Sequence, residues 1–495
     1  MLRRDTARLT GALALAISFA PSLLRRSRRE QLAVSAASAG LGAVAGAGTE
    51  VAVMRLANRI EGGEPAARAV LAGAGALATL AELSASPVSG VALAGTVARV
   101  GGICALVGAV APVRERAAPL EDPRTAAAAL ALGAAAFAGW RQLAKRTGPQ
   151  RVRLEHYPAE RWLDSVSGGE GSALPRERLD FEGTRFLGTA PAGLPQDPVR
   201  VFAGVRSADT IEDRCRLAVD ELERLGAFRR TRILVCSPTL RGYVSPVPVE
   251  AEEHLCGGDV ASVAVQYFDR RTWLMPAKVP VAARTHRELL RVLRERLARV
   301  EDPPEVAVYG ESLGAWASQN VFRGGGVRSL DAGGVARALW IGTPFFSLLA
   351  RRLQKGQVPS DERVGFLRTK DLVAGEETRR GLRFVFLARG TDPVTLFPGL
   401  DLLWRRPEWL GPGEWTPGVT FVQTVFDLFA ATRWPGSAPR ALAHDYRVEG
   451  PAAVSLVMGH DADPAELEAL ADLLVRREVE RGARLRRLRR GEPGG

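Results

Sequence analysis

A serine held between two glycines, in the pentapeptide GESLG, constrains the fold of this chain more than any other feature. The preceding run EVAVY (305–309) has the pattern of a short buried strand, and the following run AWASQNVF (315–322) has that of a helix. A turn between them strains the central residue and brings backbone close, so side chains at Gly310 and Gly314 would block it. The pattern predicts a nucleophile elbow with Ser312 as the candidate nucleophile.

Strand-like apolar runs alternate with helical segments between about residues 182 and 475. The strand candidates are VRVFAG (199–204), RILVCS (232–237), VASVAVQYF (260–268), EVAVY (305–309), ARALWIG (336–342) and RFVFLA (383–388). The segments Ile211 to Leu225 and Arg284 to Arg299 are helix candidates. Such alternation predicts an α/β fold with a mainly parallel sheet and helices on both faces. In such sheets the chemistry lies at the carboxyl ends of the strands, where GESLG falls.

The first 147 residues differ in composition, because Ala, Gly, Leu and Val dominate them. Apolar stretches lie at about Leu9 to Leu24, Leu32 to Met54, Ala69 to Leu83, Val88 to Val113 and Ala126 to Trp140. Several approach the ~20 residues that cross a bilayer as a helix, which predicts four or five spans. We therefore expect an α-helical transmembrane region at 1–147, a connector at 148–181, a catalytic domain at 182–475 and a basic tail at 476–495.

The arginines between the apolar stretches predict a topology. If Arg25 to Arg29 are cytoplasmic, five spans place Arg141, Lys145 and Arg146 in the cytoplasm too, in agreement with the positive-inside rule. Four spans would place the catalytic domain outside. We expect a multi-pass protein of the cell membrane with its catalytic domain on the cytoplasmic side.

The formal net charge of +12 comes largely from loops between the spans and from the tail RRLRR. No nucleic-acid motif accompanies it, so we expect contact with anionic lipid or a solvated helix end and no nucleic-acid partner. Gly42 and Gly46 form a small-xxx-small pair, which predicts close helix packing within the chain or, alternatively, a homo-oligomer contact. The five histidines are widely spread, so neither a metal site nor a cofactor is expected.

A nucleophilic serine needs a base within hydrogen-bond reach, itself oriented by a carboxylate. The α/β-hydrolase chain order is serine, acid, histidine, which leaves only His444 and His460 as bases after Ser312. Asp392 follows the strand candidate RFVFLA in a tight turn and is the candidate acid; the alternative is a turn former that caps its own backbone. His460 follows AAVSLVMG, a candidate last strand, and His444 lies in a loop, so the residues alone leave the base open.

Several segments resemble a bacterial membrane-anchored α/β-hydrolase family in which a multi-span region precedes the catalytic domain. The similarity lies in EGTRFLG, VFAGVRSADTIEDR, GDVASVAVQYFD, VAVYGESLGA, ALWIGTPFF and TDPVTLF, and in SFAPSLLRR near residue 20. The resemblance implies a serine hydrolase in which Ser312 matches the elbow, Asp392 the acid and His444 a His-x-Tyr element. Two patterns of the family differ here: the glycines before His444 are missing, and a Pro-Thr-Gly turn reads Pro238-Thr239-Leu240.

An oxyanion hole requires two backbone donors. The N–H of Leu313 is one candidate, and the loop Ser237 to Gly242, in particular Thr239, is expected to supply the other. The resulting hypothesis is a membrane-embedded serine hydrolase that cleaves a carboxylic ester of a lipid or small apolar acyl substrate through a Ser-His-Asp triad and an acyl-enzyme. An acyltransferase of the same fold and a non-catalytic membrane scaffold are the alternatives.

Overall fold

The structure is a computed structural model, and its placed residues fall into two compact units. It describes residues 4–19, 28–84, 100, 104–105, 154–159, 161–239, 241–268, 279–372, 381–403, 405–407, 409–410, 415–416, 418–431 and 444–491. The helical unit comprises Met1–Pro149 and Phe397–Arg433, and the sheet unit comprises Gln150–Leu396 and Trp434–Gly495. The segment 397–433 was expected in the catalytic domain, but its contacts place it with the N-terminal helices.

Seven parallel strands form the centre of the sheet unit. They are β1 Val199–Ala203, β2 Arg232–Ser237, β3 Val260–Val265, β4 Glu305–Glu311, β5 Arg337–Ile341, β6 Val364–Arg368 and β7 Phe384–Ala388. Their order is β1-β3-β2-β4-β5-β7-β6, and every neighbouring pair is parallel. The parallel sheet confirms the α/β prediction, and the sequence had indicated every strand except the edge strand β6.

Helices connect the strands and also make up the described part of the helical unit. In chain order they are α1 Arg4–Ile17, α2 Arg28–Ala57, α3 Gly63–Ser84, α4 Phe181–Gly188, α5 Ile211–Arg224, α6 Pro246–Leu255, α7 Val279–Leu297, α8 Leu313–Phe322, α9 Val327–Ala332, α10 Leu348–Gln354, α11 Pro393–Leu396, α12 Val419–Ala431, α13 Gly450–Met458 and α14 Pro464–Leu488. Helices α1, α2, α3 and α12 belong to the helical unit, and the others belong to the sheet unit.

Both faces of the sheet are buried, because successive side chains of a strand point to opposite sides. One apolar cluster joins residues such as Val308 and Trp340 to helices α5, α7 and α8. The other joins Tyr309 and Leu339 to α6 and α13. A sheet covered on both faces leaves its strand ends as the accessible place for a functional site.

The regions that flank the sheet in sequence are folded parts of the sheet unit. Leu163, Val166 and Leu174, from the expected connector, are buried. The expected basic tail begins inside α14, where Glu478 is buried and Arg481 is hydrogen-bonded to the Glu250 carboxylate at 2.5 Å. The expected tail is folded because its arginines pair with buried carboxylates, and a count of charges along the sequence does not reveal such pairs.

The helical unit is packed around glycines of α2. A Cβ atom at Gly42 would lie 2.5 Å from the carbonyl oxygen of Thr10 in α1, so Gly42 allows α1 and α2 to cross closely. Helix α12 belongs to the same unit, and its Gln423 side chain donates to the carbonyl oxygen of Ser18 at 3.1 Å. The Glu50 carboxylate pairs with Arg68 at 2.6 Å. The small-xxx-small pair therefore takes part in packing within the chain.

One helix in the described part of the chain is long and apolar enough to cross a bilayer. It covers Gln31–Ala57, 27 residues. A single helix of this kind near an N-terminus is weak evidence, because core helices and signal sequences have the same character. The stretches expected at Val88 to Val113 and Ala126 to Trp140 lie largely outside the described residues. A region of four or five spans is therefore not confirmed.

Candidate active site

The turn between β4 and α8 has the geometry of a nucleophile elbow. Ser312 has φ 57° and ψ −123°, and it is the only non-glycine residue with positive φ in the described part of the chain. A Cβ atom at Gly310 would lie 2.8 Å from the amide nitrogen of Ala315, and one at Gly314 would lie 2.2 Å from the Ser237 carbonyl oxygen. Both glycines are therefore required by close backbone approach. A non-glycine residue in this conformation is a sign of functional strain.

Asp392 lies in the turn after β7, as predicted from the sequence, and its side chain is fully buried. One carboxylate oxygen, Oδ1, accepts a hydrogen bond from the backbone N–H of Val394 at 2.8 Å. The turn-former alternative is therefore partly true, because this oxygen caps α11. The second oxygen, Oδ2, is 2.7 Å from Nδ1 of His444. Asp392 thus combines a local structural role with a contact to a histidine far along the chain.

The His444 ring lies beside the elbow. The Ser312 N–H donates to the carbonyl oxygen of Ile341, the last residue of β5, at 2.9 Å. The next residue, Gly342, lies against the ring, since a Cβ atom there would be 2.4 Å from Cε1 of His444. His444 is buried, and its Nε2 has no hydrogen-bond partner among the residues that the structure describes. With Nδ1 bonded to Asp392, Nε2 is the nitrogen left to accept a proton.

Burial and neighbouring charges shift the pKa of His444 in opposite directions. Burial has the largest single effect on the pKa of His444 and lowers it, but the Asp392, Glu311 and Asp445 carboxylates together outweigh burial and raise the pKa above its ordinary value. The raised pKa indicates an environment that stabilises the imidazolium. A general base of a serine hydrolase passes through this charged form.

His460, the alternative base, lies elsewhere in the fold. The run AAVSLVMG before it is helix α13 and not a last strand. The His460 Nε2 is 2.7 Å from the Glu252 carboxylate, which also pairs with Arg232, the first residue of β2. These contacts place His460 at the amino ends of the strands, whereas Ser312 follows the carboxyl end of β4. Only His444 is brought to Asp392.

The sequence matches the profile of an alpha/beta-hydrolase family over residues 199–470, which is more than half of the chain. The chain belongs to this alpha/beta-hydrolase family. Its seven-stranded parallel sheet agrees with that assignment. No curated protein and no solved structure gave a match.

The two residues predicted as oxyanion-hole donors, Leu313 and Thr239, differ in their hydrogen bonding. Leu313 is the first residue of α8, and its N–H has no acceptor within the helix. The Thr239 N–H, in contrast, donates to the carbonyl oxygen of Tyr243 at 2.8 Å, because residues 239–243 form a tight turn. Thr239 is therefore not a free donor in this conformation. The loop does lie at the elbow, since Ser237 is in contact with Gly314.

Tyr446, the tyrosine of the His-x-Tyr element, contacts the same carboxylate as His444, although no role was predicted for it. Its hydroxyl donates to Asp392 Oδ2 at 2.6 Å and accepts the backbone N–H of Arg389 at 2.9 Å. Burial and the nearby Asp392 carboxylate raise the pKa of Tyr446 well above its ordinary value, so the hydroxyl stays protonated as a donor. Among the residues described, no three His, Cys, Asp or Glu side chains cluster in a way that would hold a metal.

Proposed function

We propose that the protein is a serine esterase in which Ser312 is the nucleophile, His444 the general base and Asp392 the residue that orients it. The observation that carries the proposal is the 2.7 Å contact between His444 Nδ1 and Asp392 beside a strained serine. The unpartnered Nε2 of His444 is the acceptor that a serine hydroxyl requires. This arrangement counts against a non-catalytic scaffold, which has no need of it.

Each of the two stages of the proposed reaction, acylation and deacylation, moves one proton to Nε2 of His444 and one proton away from it. Ser312 Oγ attacks the ester carbonyl and gives its proton to Nε2 of His444, and Asp392 stabilises the imidazolium. The N–H of Leu313 and a second donor from the loop at Ser237 stabilise the oxyanion. When the C–O bond breaks, His444 returns the proton to the leaving alcohol. Water then attacks the acyl-enzyme by the same route and releases the acid.

A group of aromatic side chains next to the nucleophile supports an apolar acyl substrate. The Trp316 and Phe346 rings are 4.5 Å apart, and those of Phe345 and Phe346 are 5.0 Å apart. All three are only partly buried. The backbone N–H of Trp316 donates to the Ser312 carbonyl oxygen. The backbone N–H of Phe345 donates to the carbonyl oxygen of Val394, which is two residues after Asp392. An apolar surface between nucleophile and acid fits a fatty acyl chain.

Exposed apolar side chains of the helical unit support a membrane location. In the described part of this unit they are Leu9, Leu13, Leu15, Phe19, Leu32, Val51, Val70 and Leu400. A helical unit of a water-soluble protein buries most residues of this kind, whereas a bilayer accommodates them. We propose that the helical unit anchors the enzyme as a multi-pass membrane protein, with the hydrolase on the cytoplasmic side, and that its substrate is a lipid or another apolar ester.

A fluorophosphonate probe tests the proposed nucleophile. We expect the probe to label the wild-type protein and the Ser329→Ala variant, but not Ser312→Ala, because the phosphonate reacts only with an activated serine. Labelling of Ser312→Ala would contradict the assignment, and an unlabelled wild type would favour a scaffold. Turnover of an ester in the presence of an added alcohol, followed by product analysis, separates hydrolysis from acyl transfer.

The aromatic group makes a prediction about acyl length. We expect Trp316→Ala to lower kcat/KM for decanoyl esters about tenfold while kcat/KM for acetyl esters changes less than about twofold, because only the longer chain covers the aromatic surface. Steady-state kinetics on p-nitrophenyl esters measures both. Trp162→Ala is the matched control, since Trp162 is stacked with Arg176 in the same unit. Equal losses on both esters would count against an acyl-binding role.

A further inference from the structure

A second carboxylate, Glu311, lies directly before the nucleophile. It is the last residue of β4 and is paired in register with Ile341 of β5, so the two side chains are on the same face of the sheet. On that face, Tyr309, Leu339 and Ile341 pack in one apolar cluster with Tyr446, which is two residues after His444. The residue after Ile341, Gly342, is in contact with the His444 ring. Glu311 therefore lies on the face of the sheet that is covered by the segment carrying the base. Its side chain is 8% exposed.

The hydrogen-bond partners of Glu311 are neutral. The Tyr309 hydroxyl donates to its Oε2 at 3.0 Å, and the Ser245 hydroxyl donates to the same carboxylate. In the part of the chain that the structure describes, Glu311 makes no ion pair with an arginine or lysine. Hydroxyl groups orient a carboxylate without neutralising it. The electrostatic partner with the largest effect on Glu311 is His444.

The carboxylates around His444 are not equivalent. Asp445 forms a 2.7 Å ion pair with Arg447, which compensates its charge. Asp392 is engaged by His444, by Tyr446 and by the turn that it caps. Among the residues that the structure describes, Glu311 and Asp392 both have no cationic partner except the protonated base, and Glu311 differs from Asp392 in making no hydrogen bond to the ring. A buried charge of this kind acts strongly on a neighbour because little water screens it.

We propose that Glu311 is a positioning residue whose carboxylate stabilises the His444 imidazolium during acyl transfer. This inference rests on the proposed serine esterase function, because it requires His444 to accept a proton from Ser312. It gives the hydrolase two acidic groups for one base: Asp392 holds the ring through Nδ1, and Glu311 acts on the charged ring from the strand side without a hydrogen bond to it.

The direction of the pH effect follows from the charges at the site. Burial raises the pKa of Glu311, and the charged His444 opposes that shift. The carboxylate in turn raises the pKa of His444. Among the described residues, the charged or titratable groups near His444 include Asp392, Glu311, Asp445 and Tyr446. Those near Glu311 include His444, Tyr309, Tyr243 and Asp445, and Ser245 is a polar neighbour. Because the neutral base is the active form, removal of the Glu311 charge moves the acid midpoint of the rate profile to lower pH.

The test compares pH profiles of the full chain in detergent. We expect Glu311→Gln to lower the midpoint of the acid limb of kcat/KM by about one pH unit and its plateau by about tenfold. Glutamine keeps an acceptor for Tyr309 and Ser245 but carries no charge. Glu311→Asp keeps the charge, so its midpoint is expected to remain near that of the wild type even where the plateau falls. The rate of labelling of Ser312 by the fluorophosphonate probe gives a second profile.

Glu305→Gln is the matched control, because Glu305 is at the other end of β4 and pairs with Arg232 and Arg337. Its midpoint should equal that of the wild type. A Glu311→Gln profile with a lower plateau and an unmoved midpoint would overturn the inference and leave the esterase proposal intact. A shift of the Glu311→Asp midpoint as large as the one expected for Glu311→Gln would also overturn the inference and leave the esterase proposal intact. Absence of labelling in the wild type would instead overturn the proposed function.

Discussion

Replacement of His444 by glutamine is expected to lower kcat for ester hydrolysis by about 10⁴- to 10⁶-fold, the range found when a triad base is removed. The His444 ring joins Asp392 to the elbow: its Nδ1 is bonded to Asp392 at 2.7 Å, and its Nε2 is the nitrogen available for the serine proton. Glutamine fills part of the space but does not accept a proton at neutral pH. Burst and steady-state kinetics with a chromogenic ester measure the loss.

His460→Gln is the control that the chain itself offers. His460 also contacts a carboxylate at 2.7 Å, but that carboxylate is Glu252 at the amino ends of the strands. We expect this variant to keep kcat within a few fold of the wild type. If His460→Gln abolished turnover and His444→Gln did not, the base would have been assigned to the wrong histidine.

The second large effect is expected for Asp392→Asn, with a decrease in kcat of about 10⁴-fold. Oδ1 of Asp392 accepts the Val394 N–H, so an asparagine that keeps this bond turns its amide nitrogen towards His444. The ring then accepts at Nδ1 and carries its proton on Nε2, where it cannot take one from Ser312. Because the Asp392 carboxylate raises the pKa of His444, the acid limb of the residual activity should also move to lower pH.

The Asp463→Asn variant is the control that distinguishes an effect on catalysis from the effect of changing a residue that caps a helix. Asp463 precedes a proline and caps α14 by accepting the Ala465 N–H at 2.8 Å, the same distance at which Asp392 accepts the Val394 N–H. Among the described residues, no hydrogen bond or ion pair joins Asp463 to a histidine; the nearby His460 is bonded to Glu252 instead. Replacement of Asp463 should leave kcat unchanged, and circular dichroism should show both variants folded. If Asp392→Asn had only a small effect on kcat, Asp392 would be a turn former and not the residue that orients the base.

The sheet was predictable from the sequence because strands covered on both faces are almost continuously apolar. The run RILVCS became β2 with the same bounds. Strand β6 was missed because it is a short edge strand: Gly365 is its one buried residue and contributes no apolar side chain, and Phe366 is exposed. The run AAVSLVMG was ambiguous for a related reason: a short helix buried against a sheet and a buried strand are equally apolar, and α13 is such a helix.

Candidate site residues were predictable from the sequence where the order of residues along the chain and the positions of strand ends were enough to assign them. Asp392 followed from its place after the last central strand, and the His444 assignment came from the family resemblance. The resemblance included Tyr446 in the His-x-Tyr element, but the contacts of Tyr446 and Glu311 were not predictable, because they depend on cross-strand register and on which hydroxyl is turned towards which carboxylate. Thr239 was assigned as a donor from position alone, and the turn at Tyr243 uses its N–H.

The segment Phe397–Arg433 belongs to the helical unit although it lies between two parts of the sheet unit in sequence, and this limits how the protein can be truncated. The polypeptide passes between its two units at three points: near residue 150, after Leu396 and before Trp434. No single cut therefore separates an intact enzyme from its N-terminal helices, and a fragment beginning at residue 150 would carry α12 without the Ser18 carbonyl that binds Gln423. Asp392 lies just before the second crossing and His444 shortly after the third. The proposed acid and the proposed base are thus joined through a segment that folds with the other unit.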